Sequence, residues 1–243
     1  MPPRFHVAGP LAQSMVGDTL ELPESVAHHA VRVVRLVAGD ALVLFDGLGG
    51  EYAARIASVH KRGVQVRVER FDPVERESPL KVTLVQAIVA NDAMDYAVRK
   101  SVELGVATIA PVITARSAPF PADTRGEKRH AHWEQIVIAA CEQCGRNRVP
   151  AVLPVCKLAE WQPEGIPAFV CAPGGEAPLL ARPHPGTECA VLVGPEGGFA
   201  PEEIARLVRN GAARVALGPR VLRTETAAVA ALALVQALWG DLR

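Results

Sequence analysis

Apolar and polar positions along the chain follow two regimes. Up to about residue 72 the apolar runs are short and strand-like: Ala41 to Phe45, Tyr52 to Val59 and Gly63 to Val68. Turns such as Asp46-Gly47-Leu48-Gly49-Gly50 and His60-Lys61-Arg62-Gly63 separate them. Closely spaced strands with Gly-rich or charged turns predict a small β-barrel. One stretch there has helical period, Ser25 to Val37, with Val26, Ala30, Val33, Val34 and Val37 on a common stripe. The charged segment Asp72 to Pro79, carrying Pro73 and Pro79, reads as a linker.

From Leu80 onward strands and helices alternate. Apolar strands are predicted at Val82 to Val89, Ile109 to Ile113, Ala168 to Ala172, Ala190 to Val193 and Ala213 to Leu217. Helical patterns lie between and after them, around Asp92 to Leu104, Glu127 to Cys144, Pro201 to Asn210 and Thr224 to Trp239. That alternation predicts an α/β domain with a mostly parallel sheet covered on both faces. The expected domains are therefore 1–72 and 73–243. The last helix is apolar on every side, so it must be buried all round, either inside the monomer or against a second subunit.

Composition narrows the functional classes. Of 243 residues 49% are hydrophobic and 21% charged, a globular balance. Formal net charge is zero, so a nucleic-acid site would have to be a local patch. No stretch has the layout of a signal peptide, and the longest apolar run, Ala227 to Leu234, is far short of the ~20 residues of a spanning helix. A soluble cytoplasmic protein without membrane contact is expected. The five cysteines read as reduced thiols. Cys141-Glu142-Gln143-Cys144 lacks the second pair that a structural zinc site needs, and with Trp133, Ile136, Val137 and Ala140 it continues one helix stripe, so no metal is expected. Walker A, GxGxxG and GxSxG patterns are absent, which removes the usual sequence support for P-loop, Rossmann and serine-hydrolase chemistry.

Two glycine-punctuated loops carry the positive signal. Gly194-Pro195-Glu196-Gly197-Gly198 follows one apolar strand, and Leu217-Gly218-Pro219-Arg220-Val221-Leu222-Arg223-Thr224-Glu225-Thr226-Ala227 follows the next. Each runs into a helix. Loops at the carboxyl ends of adjacent parallel strands face a common crevice, where open α/β sheets bind ligands. Glycine lets backbone approach a ligand and proline stiffens the loop, which favours recognition by main-chain groups.

Together these loops resemble the SPOUT class of S-adenosylmethionine-dependent RNA methyltransferases, and their wording is similar to the RsmE family in particular. Three more stretches extend the likeness: Pro3-Arg4, Lys100-Ser101-Val102-Glu103-Leu104-Gly105, and Ala140-Cys141-Glu142-Gln143-Cys144-Gly145-Arg146-Asn147-Arg148-Val149-Pro150. The resemblance implies a PUA-like β-barrel RNA-binding domain followed by a SPOUT domain with a C-terminal trefoil knot. It implies methylation of N3 of a uridine in 16S ribosomal RNA, S-adenosylmethionine as donor with S-adenosylhomocysteine as product, the small ribosomal subunit as partner, and a homodimer. Ribose 2′-O methylation and a non-catalytic assembly role are the alternatives. One departure stands out: the family's Gly-acid-Lys run ahead of Met94 is Asn91-Asp92-Ala93 here, so no role of that lysine transfers.

On this reading Gly194, Pro195, Glu196, Gly197, Gly198, Leu217, Gly218, Val221 and Leu222 hold the donor, with Ala172 in the Cys171 to Gly174 stretch as a third edge. Arg223 and Glu225, with Arg220 and Glu196, are the candidate catalytic or substrate-orienting residues; a structural ion pair is the other reading of Arg223 and Glu225. Arg4, Arg32 and Arg35 are candidate RNA contacts, with His28 and His29 beside them for RNA or interdomain contact. Arg146 and Arg148 serve either RNA phosphate or the negative end of the preceding helix.

Overall fold

The computed structural model describes residues 2–12, 15–61, 63–163, 165–174 and 177–242. The chain divides into two compact units, one of residues 1–77 with 141–149 and one of 78–140 with 150–243. The first unit thus runs five residues past the expected boundary at 72, and it takes in a segment from the middle of the chain.

The first unit contains β1 (Arg4–His6), β2 (Thr19–Glu21), β3 (Ala41–Phe45), β4 (Glu51–His60) and β5 (Gly63–Asp72), in the order β1-β3-β4-β5-β2. All pairings are antiparallel except β1 with β3. Alternation along β4 and β5 turns Tyr52, Ala54, Ile56, Val64, Val66 and Val68 into a core shared with Phe5, Leu42 and Leu44. Bulges in the β4–β5 pairing, at Ala53/Ala54 and Ile56/Ser58, bend this ribbon.

The predicted helix Ser25 to Val37 is shorter. It is α-helical as α1 (Glu24–His28), continues as a π turn over His29–Val33, and stops at Arg35, whose φ is 64°. A π turn closes i to i−5, as in Val34 N–H to His29 O at 3.0 Å. That extra residue rotates the valines out of the stripe expected for an α-helix. Val33 and Val37 are each 62% exposed, while Ala27 and Ala30 pack into the core.

The second unit contains β6 (Lys81–Ala87), α2 (Asn91–Glu103), β7 (Val106–Ile113), the larger part of α3 (Thr124–Cys144), β8 (Ala151–Val152), β9 (Cys156–Lys157), β10 (Ala168–Cys171), β11 (Ala177–Pro178), β12 (Glu188–Val193), α4 (Pro201–Arg209), β13 (Ala213–Ala216) and α5 (Thr224–Trp239). Its sheet is parallel throughout, in the order β11-β13-β10-β12-β6-β7-β8, with β9 also on β7. Val85, Val112, Val170, Leu192, Phe199 and Leu207 share one buried cluster. β12 is buried from Cys189 to Val193 without alternation, as a strand covered on both faces must be. Because every strand runs the same way, all their carboxyl ends meet at one edge.

One expectation needs correcting here. β12 and β13 are not neighbours: β10 lies between them. Within the single chain α5 is covered at Ala228, Ala231, Leu232, Val235 and Trp239, while Val229, Ala230, Ala233, Leu234 and Leu238 keep partial exposure and Ala237 is open. Among the described residues no helix is long and apolar enough to cross a membrane.

Candidate functional site

The carboxyl ends of β10, β12 and β13 enclose a cavity of about 360 Å³, within the range of small-molecule sites. β10 supplies its middle wall through Cys171, Ala172 and Pro173; β12 leads into Gly194 to Phe199; β13 leads into Leu217, Gly218, Arg220, Val221 and Leu222. Ile204, Arg214, Thr224 and Ala227 complete the lining. Every sequence-predicted cofactor residue lies in this wall, including Ala172, and so do Glu196 and Arg220. Arg223 and Glu225 do not line it; they flank Thr224, which does.

The two loops are held in different ways. Gly198 (φ 68°) and Gly218 (φ 101°) occupy the left-handed region where a side chain is strained, so these turns require glycine for their backbone shape. Gly194 is constrained by space: a Cβ there would sit 3.1 Å from both the ring and the backbone nitrogen of Phe199. At Gly197 the protein leaves room: a Cβ there would meet the Arg116 stem at 3.4 Å, an ordinary contact, and no tighter protein atom, so the ligand side of this position is open. Thr224 joins the two loops. Its hydroxyl donates to Gly194 O at 2.7 Å and accepts from Gln86 Nε2 at 3.1 Å. Gln86 is wholly buried at the end of β6, and its amide also donates to Ala87 O.

The cavity wall carries Glu196 on one loop and Arg220 on the other. Arg220 and Arg223 are exposed, and among the described residues neither makes an ion pair. The structural pair of Arg223 with Glu225 is therefore not formed. Arg223 caps α5 in an extended conformation (φ −63°, ψ 155°), where the positive end of the helix adds to its own charge. Burial pushes the Cys171 thiol up to about 12, which favours the protonated thiol near neutrality. Among the described residues no cluster of His, Cys, Asp or Glu is arranged to hold a metal.

Sequence reasoning missed Thr224 as a loop tie and Arg116 altogether. Thr224 carries a local signal, a hydroxyl residue at the start of a helix. Arg116 carries none, since it approaches Gly197 from 81 residues away.

In the first unit, two arginines read as RNA contacts have other partners. Arg4 has a side chain only 6% exposed; it bonds Glu51 at 2.6 Å and Asn147 Oδ1, and lies over the Phe45 ring. Arg146 is buried and pairs with Glu77. Both guanidinium groups therefore pin the segment 141–149 within this unit, helped by Asn147 Nδ2 donating to Val74 O and Arg76 bonding Gly145 O and Glu51. Arg148 is about half exposed beside Glu75, and Arg32, Arg35, His28 and His29 are exposed.

This network makes a pH prediction. Burial pushes the Glu51 carboxyl up, but hydrogen bonds and charges from Arg76 and Arg4 outweigh it and hold the group below its usual value. A lowered carboxylate stabilises the fold fully above its unfolded pKa and loses that stabilisation as pH falls through the folded value. Arg4→Met should cost about 3 kcal/mol near neutrality, because Glu51 loses a largely buried partner, and should flatten the acid limb of stability. Urea unfolding between neutral and acid pH checks this; an unchanged acid limb would remove the pair from the explanation.

Comparison with known proteins also gives two domains. A family model described as an RNA methyltransferase domain matches residues 76–236, and one described as an RNA methyltransferase PUA domain matches residues 22–69. The chain is 32% identical over 239 residues to a ribosomal RNA small subunit methyltransferase E of Buchnera aphidicola subsp. Schizaphis graminum, covering 93% of this chain and 94% of that one. It is 29% identical over 250 residues to the Bacillus subtilis protein of the same name, covering 96% and 95%. A crystal structure of a ribosomal RNA small subunit methyltransferase E from Neisseria gonorrhoeae, bound to S-adenosyl methionine, is 39% identical, covers 100% of both chains and superposes with a TM-score of 0.92.

Proposed function

The chain belongs to the ribosomal RNA small subunit methyltransferase E family of RNA methyltransferases, and from that membership we propose that it methylates N3 of a uridine in 16S ribosomal RNA in the cytoplasm. The observation that carries the reading is the glycine-walled cavity with two exposed, unpaired arginines on one of its loops. Its size, its main-chain lining and its apolar side chains (Phe199, Ile204, Leu217, Leu222) fit S-adenosylmethionine. Main-chain groups of Gly194 to Gly198 and Leu217 to Leu222, with Ala172, hold the adenine and ribose. When bound, the sulfonium supplies the methyl group.

The protein's own residues do the rest. Uridine N3 carries a proton at neutral pH, and its loss spreads negative charge over the uracil oxygens. Arg220 and Arg223 offset that charge. Glu196, in the cavity wall, and Glu225, beside Thr224, are the carboxylates at hand to accept the proton or to engage an arginine once substrate is bound. In the first unit, Arg32, Arg35 and Arg148 contact RNA phosphate. We also propose the C-terminal trefoil knot that the family resemblance implies.

The deciding experiment incubates the protein with labelled donor and small-subunit particles and maps the methylated nucleoside by mass. N3-methyluridine at one position is the expected product. A ribose methylation, or none, overturns the reading. In the same preparation RNA affinity should fall with salt, less steeply after Arg32→Ala and Arg35→Ala, by about 0.7 to 0.9 in log–log slope per lost phosphate contact.

The partly open apolar side of α5 supports a homodimer as well. Val229, Ala230, Ala233 and Leu234 line it, and small residues allow a second helix to approach closely. Light scattering should give twice the 25.8 kDa chain mass at micromolar concentration. Ala233→Glu should yield a folded monomer; a wild-type monomer removes the dimer from the proposal.

A further inference from the structure

The loop after β7 is built to present one arginine. Thr114 N–H donates to Ser117 Oγ at 3.0 Å, the two hydroxyls lie 3.0 Å apart, and Ser117 N–H returns to Thr114 O at 3.3 Å. Between them, Ala115 N–H donates to Glu203 Oε1 at 2.8 Å. The other oxygen of Glu203 accepts Ala200 N–H, also at 2.8 Å, at the start of α4. The loop is thus closed on itself and tied to the element that follows Gly194 to Phe199.

Arg116 projects from this turn onto the cavity loop. Its Nη1 donates to Gly197 O at 2.8 Å, and its stem passes where a side chain on Gly197 would meet it at 3.4 Å. That acceptor is neutral. Among the described residues no carboxylate lies within ion-pair distance of Arg116, and Glu203, joined to the same turn, uses both oxygens on backbone N–H groups. An exposed guanidinium is thereby fixed in position while its charge stays uncompensated. A planar fork so arranged suits a phosphate group, two of whose oxygens accept two parallel N–H bonds.

We propose that Arg116 binds a backbone phosphate of the RNA strand entering the cavity, and so positions the target nucleotide against the Gly194 to Gly198 loop. One N–H stays on Gly197 O; the others take the phosphate. The proposal rests on the RNA methyltransferase reading and adds a residue from a third loop, outside both glycine motifs.

The test separates substrate contact from loop support. For wild type, Arg116→Ala, Arg116→Gln and Arg116→Lys, donor affinity is measured by calorimetry, and single-turnover methylation is followed against small-subunit particle concentration. Binding of small-subunit RNA is measured at several salt concentrations. Arg116→Ala should raise the half-saturating particle concentration about tenfold, lower the salt slope by about one contact, and leave donor affinity within about twofold. Arg116→Gln, which keeps an N–H for Gly197 O and loses the charge, should behave like alanine; Arg116→Lys should recover the salt slope and only part of the affinity.

Weakened donor binding with unchanged particle dependence would make Arg116 a loop support and overturn the proposal. Wild-type behaviour in all assays overturns it too. If the wild-type protein leaves small-subunit RNA unmethylated, the functional reading fails, whereas the salt slope still reports whether Arg116 meets phosphate.

Discussion

Replacing Arg223 with alanine should slow single-turnover methyl transfer by about a hundredfold to a thousandfold at saturating RNA and donor, the range for losing one preorganised charge partner. The expected cause is differential: negative charge grows on uracil only as N3 gives up its proton, so the cation is worth more in the transition state than in the bound ground state. Arg223 suits that task because it is exposed, unpaired among the described residues, and mounted at the positive end of α5. Its neighbours Leu222 and Thr224 line the cavity whereas Arg223 does not, so donor affinity should stay within about twofold. With no ion pair to break, the variant should also unfold within about 0.5 kcal/mol of wild type. Arg223→Lys should recover only part of the rate, since ammonium keeps the charge and loses the planar fork. A wild-type rate would take Arg223 out of the mechanism, and a matching loss of donor affinity would reassign it to the cofactor wall.

The second large effect is expected at Gly194. A valine there places Cβ about 3.1 Å from the Phe199 backbone nitrogen and ring, and backbone cannot swing aside as a flexible side chain would. The Gly194 carbonyl is meanwhile held by Thr224, which in turn is held by the buried amide of Gln86. The Phe199 neighbour must give way slightly, and the tie of the loop through Thr224 to Gln86 opposes that shift. Donor affinity should fall at least about a hundredfold, which is roughly 2.7 kcal/mol. Thr224→Val removes the tie without adding bulk and should weaken donor binding about tenfold, the scale of one buried hydrogen bond; Thr224→Ser should restore it. Calorimetry on variants with verified helix content decides. Wild-type affinity in Gly194→Val would mean that the donor does not depend on this loop, and serine failing to rescue would mean that the methyl group of Thr224, not its hydroxyl, matters.

Both predictions start from residues visible in the sequence, but their order of importance is not. Glycines at 194 and 197 look equivalent on paper. Only the packing shows that a side chain at 194 presses tightly on the Phe199 backbone and ring, while one at 197 stands at ordinary contact distance from the Arg116 stem. Arg4 shows the reverse case. An exposed-looking arginine near the start of the chain reads as an RNA contact, yet its partners Glu51 and Asn147 lie 47 and 143 residues away, where no local pattern reaches.

What the sequence determined by itself was everything governed by short-range periodicity and by the chemistry of consecutive residues. An unbroken apolar run specifies a doubly covered strand, so β12 was legible; helical spacing with acids at one end specifies α4; and α5 begins and ends where its pattern does, at Thr224 and Trp239. The two glycine loops were legible for the same reason, because the need for tight, close-approaching backbone is written in the residues that provide it.

Tertiary structure decided what depends on which distant segments meet. β10 came between β12 and β13, so the expected third edge is the middle wall of the cavity and the two glycine loops are not on adjacent strands. Segment 141–149 joined the first unit through buried arginines, and a π turn took Val33 and Val37 out of the core. Strand order, pairing across a hundred residues and the register of an irregular turn are set by the total free energy of packing. Many sequences with the same local pattern satisfy that balance differently, so no window along the chain contains the answer.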